Sequence, residues 1–226
     1  LYDVLGKAAG AFLSETLRNG QALGLGWGNT LRASINHIEQ RFSSGIHIVS
    51  LFGGLPRGVT TNPYDIASHV ARRLGVEECY YIAAPMFVST PEVRDMLMHQ
   101  ESFGQAFERA AHLDMALVGV GDLTTKATNL VLKAFGHEDW QSLLQAGAVG
   151  EFFNHFLNEQ GDLVEHSINQ RVMSPNLETL LRIPNICAVA GGMQKVPILR
   201  AVLSRGYLHA LITDELTARS ILDNDN

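Results

Sequence analysis

ICAVAGGMQK, residues 186–195, runs five apolar residues into two glycines and then a lysine at the start of a helical pattern. An apolar run without polar alternation suits a strand covered on both faces, as in a parallel sheet, better than a half-exposed hairpin. The same punctuation recurs. ALGLG (22–26) precedes helical spacing in TLRASINHIEQRF, and HIVSLFGG (47–54) precedes PYDIASHVARRLG (63–75). ECYYIAAP (78–85) is closed by Pro85 before a long helical stretch from Pro91 to about Leu113. MALVGVG (115–121) and HALITD (209–214) complete the series. Short β-rich runs separated by helical patterns predict βαβ units: an α/β fold with a doubly wound, mostly parallel, Rossmann-like sheet.

The alternation breaks between Thr124 and Pro184. Two helical patterns flank GAVGE (147–151), and Glu151 opens one of them, EFFNHFLNE, with Phe152, Phe153 and Phe156 nearly on one face as packing residues. NEQGDLVEH then reads as a turn plus a strand. The expectation is a single domain, 1–226, with an insert or cap over one end of the sheet at roughly 124–184.

Of the 226 residues, 46% are hydrophobic and 18% charged, enough to bury a core, and the net charge is −6. Seventeen basic residues scattered among twenty-three acidic ones form no stripe that would hold a duplex, so this chain alone is a poor DNA binder. Cys79 and Cys187 sit in apolar runs, which implies no disulfide framework and favours a reducing, cytoplasmic setting. No apolar run approaches the ~18–20 residues that cross a bilayer. LYDVLGKAAGAFLSETL has helical spacing and acidic residues, unlike a signal peptide. It begins at Leu1 without methionine, so a longer protein is expected. The nine histidines form no metal-binding pair, and neither a G-x-S-x-G elbow nor a nucleophilic cysteine arrangement occurs. No metal, cofactor or catalytic residue is expected.

In a doubly wound sheet, ligands bind beyond the carboxyl ends of the strands. The residues there are GWGNT (26–30), FGGLPRG (52–58), APMF (84–87), GVGD (119–122), GGMQK (191–195) and TDE (213–215). Glycines such as Gly26, Gly28, Gly53, Gly54, Gly191 and Gly192 let backbone amides approach an anion. Gly24, Gly26 and Gly28 do not fit the G-x-G-x-x-G fingerprint, and no P-loop lysine follows. GWGNT is thus either a phosphate loop or a plain turn in which Asn29 or Thr30 caps a helix. Trp27 lies against a sugar face or plugs the loop to the body. Lys195 is placed against the positive end of a helix dipole, which makes sense if an anion lies between them; the alternative is a solvated surface lysine. Asp122 is a strand-end cap or a hydroxyl acceptor. Glu151 is a helix-start carboxylate or a hydroxyl acceptor.

GLGWGNTL (24–31), GAVGEFFNHFLNEQGDLVEH (147–166), IPNICAVAGGMQK (183–195) and ALITDELTARSIL (210–222), in this order, resemble the effector domain of the SorC family of bacterial transcriptional regulators. The resemblance covers nearly the whole chain. It implies a fold like that of the ribose-phosphate isomerase, glucosamine-phosphate deaminase and CoA-transferase group. It implies a sugar or sugar phosphate held by the Gly26–Thr30 loop and by Lys195 after Gly191-Gly192. Glu151 stands where the motif often has aspartate, keeping a hydroxyl acceptor with a longer reach. It further implies homodimers or homotetramers, and operator DNA bound by an N-terminal helix-turn-helix absent from this chain. The competing readings are an isomerase- or deaminase-type enzyme, with Asp122, Glu151 or Asp214 as base, and a domain for an unphosphorylated sugar.

Overall fold

The computed structural model describes residues 1–40, 44–56 and 58–223. Helix α1 (Tyr2–Thr16) leads into β1 (Ala22–Leu25) and α2 (Asn29–Ser34). Next come β2 (His47–Ser50), α3 (Pro63–Leu74), β3 (Cys79–Tyr80), α4 (Pro91–Met98) and α5 (Glu101–Ala110). β4 (Met115–Val118), β5 (Val120–Gly121), α6 (Thr128–Val131), α7 (His137–Gln145), β6 (Gly150–Phe152) and β7 (His155–Leu157) follow. The chain closes with α8 (Leu177–Leu180), β8 (Ile186–Val189), α9 (Val196–Ser204), β9 (Ala210–Ile212) and α10 (Glu215–Leu222).

Six strands form one sheet in the order β3-β2-β1-β4-β8-β9, every pair parallel. Leu23 of β1 lies between Ile48 of β2 and Met115 of β4. Successive residues of β1, β4 and β8 are buried, which requires cover on both faces. α1 packs on α2 and reaches β8 and β9, while α3 and α5 pack over β2 and β3. Strand order reverses between β1 and β4, and that is where this architecture opens a crevice for ligands.

Local chemistry sets the helix ends. Asn62 caps α3 by accepting from the Tyr64 amide, Pro63 occupies the first turn, and Gly75 ends the helix in a left-handed conformation. The helical stretch expected from Pro91 to Leu113 is two helices. Val93, Leu97 and Met98 of α4 share an apolar cluster with Phe103 and Phe107 of α5, so the chain folds back to pool two narrow stripes. ECYYIAAP supplies only a two-residue strand, Cys79 and Tyr80, and a single bridge from Pro85 to Gly54. Between the two, the carbonyls of Ile82 and Ala84 turn to the Tyr64 hydroxyl. The helical pattern drawn from residue 30 ends at Ser34, followed by one 3-10 turn, Ile35–His37. Its end at Arg41 and Phe42, like Arg57 in FGGLPRG, lies outside the described residues.

MALVGVG divides at Gly119: β5 leaves the main sheet and pairs antiparallel with β6, which pairs with β7. This second sheet starts at Val120, ahead of the insert boundary expected at 124. It also corrects the reading of EFFNHFLNE, which is a hairpin and not a helix. Its two-residue turn, Phe153-Asn154, has φ of 55° and 59°, the backbone of a type I′ turn. Residues 150–157 are all buried, Glu151, Asn154 and His155 included. A segment with no exposed face carries no period that separates helix from strand.

Candidate functional site

A cleft opens beyond the carboxyl ends of β1, β4 and β8. Its walls are Trp27–Leu31, Gly119–Asp122, Val189–Gly191 and Lys195, with Thr128 and Asn129 of α6 and Glu151 and Phe153 of the hairpin closing it over. Tyr2 of α1 and Phe52 also contribute. The cavity volume is about 60 Å³, and the free space out to the mouth, open solvent included, is about 700 Å³.

Lys195 enters from the 3-10 turn Met193–Lys195 that precedes α9. Its Nζ lies 2.8 Å from Asp122 Oδ2 and donates to the Val120 carbonyl at 2.8 Å; the two side chains are 17% and 8% exposed. The anion that faces this lysine in the structure is the protein's own Asp122 carboxylate. Asp122 Oδ1 accepts from the Thr124 amide at 2.9 Å and from its hydroxyl. Burial pushes the Asp122 carboxyl up, but the Lys195 charge and the bonds from Lys195 and Thr124 outweigh it and hold the group below its ordinary value.

Glu151 is buried beside this pair. Gly121 is its register partner across β5–β6, and a Cβ on Gly121 would overlap the Glu151 carboxylate, so glycine is what allows the acid to lie there. Its Oε2 accepts from the Asn154 amide at 2.8 Å. Burial pushes the Glu151 carboxyl up to about 7, against the Asn154 bond and the Lys195 charge. Asn154 then ties the hairpin to the first loop: its Oδ1 accepts from Trp27 Nε1 at 3.0 Å, while its buried Nδ2 has no partner. Trp27 is therefore both a plug, bonded to the body, and a wall of the cleft.

The glycine loops divide. Gly28, at φ 107°, caps α2, which has no side-chain cap; Asn29 and Thr30 instead line the cleft. Gly191 lines it too, whereas Gly192, at φ 103°, turns its amide away to Asp214 Oδ2 at 2.9 Å and Thr217 Oγ1 at 2.7 Å. Asp214 caps α10 through the Thr217 amide at 3.0 Å, a structural task rather than that of a base in the cleft. The Gly26 amide belongs to the sheet, donating to Leu117. Those of Gly53 and Gly54 donate to Met173 and Ala84. These three glycines and Gly192 shape the loops without lining the cleft.

The structure thus brings together Trp27, Gly28, Asn29, Thr30, Asp122, Glu151, Gly191 and Lys195. It adds Asn129, which no motif marked, and the Phe153-Asn154 turn, which lies in a segment expected to be helical. Asn129 Oδ1 is buried without a partner. Among the described residues no group of histidine, cysteine, aspartate and glutamate could hold a metal ion, and no helix is long and apolar enough to cross a membrane.

Residues 2–223 match the protein family described as "Putative sugar-binding domain". The chain is 30% identical over 224 residues to the erythritol catabolism regulatory protein EryD of Brucella abortus (strain 2308), covering 98% of this chain and 70% of that protein. It is 31% identical over 223 residues to the transcriptional regulator LsrR of Enterobacter sp. (strain 638), covering 96% and 66%. The chain spans about two thirds of the length of these relatives. The full-length sorbitol operon regulator SorC of Klebsiella pneumoniae superposes with a TM-score of 0.90 over 98% of this chain and 73% of that one. At 21% identity this is a likeness of fold. A DeoR family transcriptional regulator from Listeria monocytogenes superposes with a TM-score of 0.89 at 25% identity, over 97% and 87%.

Proposed function

We propose, for a chain that belongs to the sugar-binding domain family of SorC-type transcriptional regulators, that the effector occupies the cleft between β1, β4 and β8. The domain is the ligand-sensing part of a regulator of carbohydrate metabolism. One observation supports the placement: at the point where strand order reverses, the cleft gathers the buried polar side chains of Asp122, Glu151 and Asn129 with Lys195. These groups suit the hydroxyls of a sugar or polyol. Asn29 and Thr30, which follow Gly28 along the cleft wall, offer further polar contacts to a hydroxyl or a phosphate. Similarity to a regulator of erythritol catabolism supports a polyhydroxylated effector.

Binding without turnover is part of this reading. An isomerase or deaminase needs an acid and a base set to work on the same carbons. Lys195 and Asp122 neutralise one another, and Asp214 is used as a helix cap, which leaves Glu151 without an acid partner. Operator DNA is assigned to a helix-turn-helix outside this chain, and the full protein to homodimers or homotetramers in the cytoplasm. The effector acts by binding one arrangement of that assembly more tightly than another, since a ligand indifferent to the two shifts nothing.

Calorimetric titration with sugars, polyols and their phosphates in matched pairs tests this, with NMR of the recovered ligand. At least one member binds and is recovered unchanged, and Lys195→Ala weakens it by roughly tenfold or more, the loss of one charge-assisted bond. Absence of binding across the panel contradicts the sensing role, and chemical conversion of the ligand contradicts the non-enzymatic one.

A further inference from the structure

We propose that Asn129 is the residue that sets hydroxyl specificity in this cleft: its side-chain carbonyl accepts a hydrogen bond from one ligand hydroxyl, and ligands lacking that hydroxyl are discriminated against. The inference rests on the cleft being the effector site and goes beyond it by naming how the site chooses. Asn129 lies on α6, in the segment between β5 and β6, and its own backbone carbonyl accepts from the Ala134 amide at 2.9 Å. The residue is 5% exposed and lines the cleft, yet its Oδ1 has no partner.

Three of the four neighbouring carboxylate oxygens are already engaged. Asp122 is bonded through both oxygens, to Lys195 and to Thr124, and Glu151 Oε2 takes the Asn154 amide. A carbonyl desolvated without a donor carries a free-energy cost, and a ligand O–H removes that cost on binding. The chemistry is specific, because a buried acceptor distinguishes a hydroxyl from a hydrogen far better than an apolar wall distinguishes sizes. An amide also does this without adding negative charge to a site that already holds two carboxylates.

The test titrates the domain with ribose 5-phosphate, glucose 6-phosphate and fructose 6-phosphate and with the parent sugars and erythritol. Analogues of the tightest binder, with each hydroxyl replaced in turn by hydrogen, follow. For one position the wild type prefers the hydroxylated ligand by at least about tenfold, and in Asn129→Leu that preference falls to within about threefold of unity while the deoxy analogue binds as before. A purely structural role would weaken both ligands together. Should Asn129→Leu fail to fold, Asn129→Ala, which only removes atoms, is held to the same ratio. A folded variant that keeps the full preference at every position overturns the proposal and leaves the effector site standing. Failure of every probe to bind the wild type overturns the effector-site reading, and this inference with it.

Discussion

Glu151 holds a carboxyl over Gly121 with one amide bond and little water, and the cost of charging it there is measurable. Folding raises its pKa from 4.5 to about 7. Below 4.5 the acid is neutral in both states. Between 4.5 and 7 the unfolded chain ionises first, so stability from this group falls as pH rises; above 7 the deficit is constant, on the order of 3 kcal/mol. His155, buried and pushed down to about 4, has the opposite slope, since its unfolded form charges first as pH falls below 6.5. The wild-type profile therefore mixes the two. Chemical denaturation of Glu151→Gln alongside the parent isolates the acid: the variant gains stability relative to wild type as pH rises from about 5 to 7. A constant difference across that range would show that Glu151 is ordinarily acidic. Glu151, Asp122 and Lys195 are each legible as candidates because they follow apolar runs or glycines, and all three line the cleft. That Lys195 faces Asp122 was not legible, because 72 positions separate them and only the fold sets that distance. Asn129 was invisible for a different reason: a lone asparagine in TKATNLV has no spacing to mark it.

Among elements, the strands of the main sheet are easiest to place, and β1, β2, β4, β8 and β9 each fall within an expected run. The hairpin β6–β7 was misplaced because polarity usually signals exposure, and here Glu151, Asn154 and His155 are inside. Its turn puts a phenylalanine at φ 55°, where asparagine or glycine is usual, and the strain is held by complete burial of the ring. The start of α10 presents a simpler dependence. Asp214 caps that helix and takes the Gly192 amide, so one carboxylate secures both α10 and the loop that leads to Lys195. Asp214→Ala is expected to lower the unfolding free energy by roughly 1–2 kcal/mol. It also weakens effector binding by loosening the Gly191-Gly192 loop, measured by melting and titration of the same sample. Lost stability with unchanged affinity would separate the cap from the site.

On the scale of the molecule, alternation of runs was enough to foresee a doubly wound parallel sheet. The order β3-β2-β1-β4-β8-β9, which no single run contains, is what puts the loops after β1 and β4 side by side. A second recess lies at the other end of these strands, around His47, Tyr80, Arg109 and His112, with a cavity volume of about 640 Å³ against about 60 Å³ for the cleft. Size alone would favour it as a binding site. The gathering of buried polar groups favours the switch-point cleft. Hydrogen exchange of the backbone amides, with and without the tightest-binding sugar or sugar phosphate, decides between them. Protection is expected in residues 27–31, 119–122, 150–154 and 191–195. Protection centred instead on residues 105–114 would place the effector at the opposite end of the sheet and contradict the account.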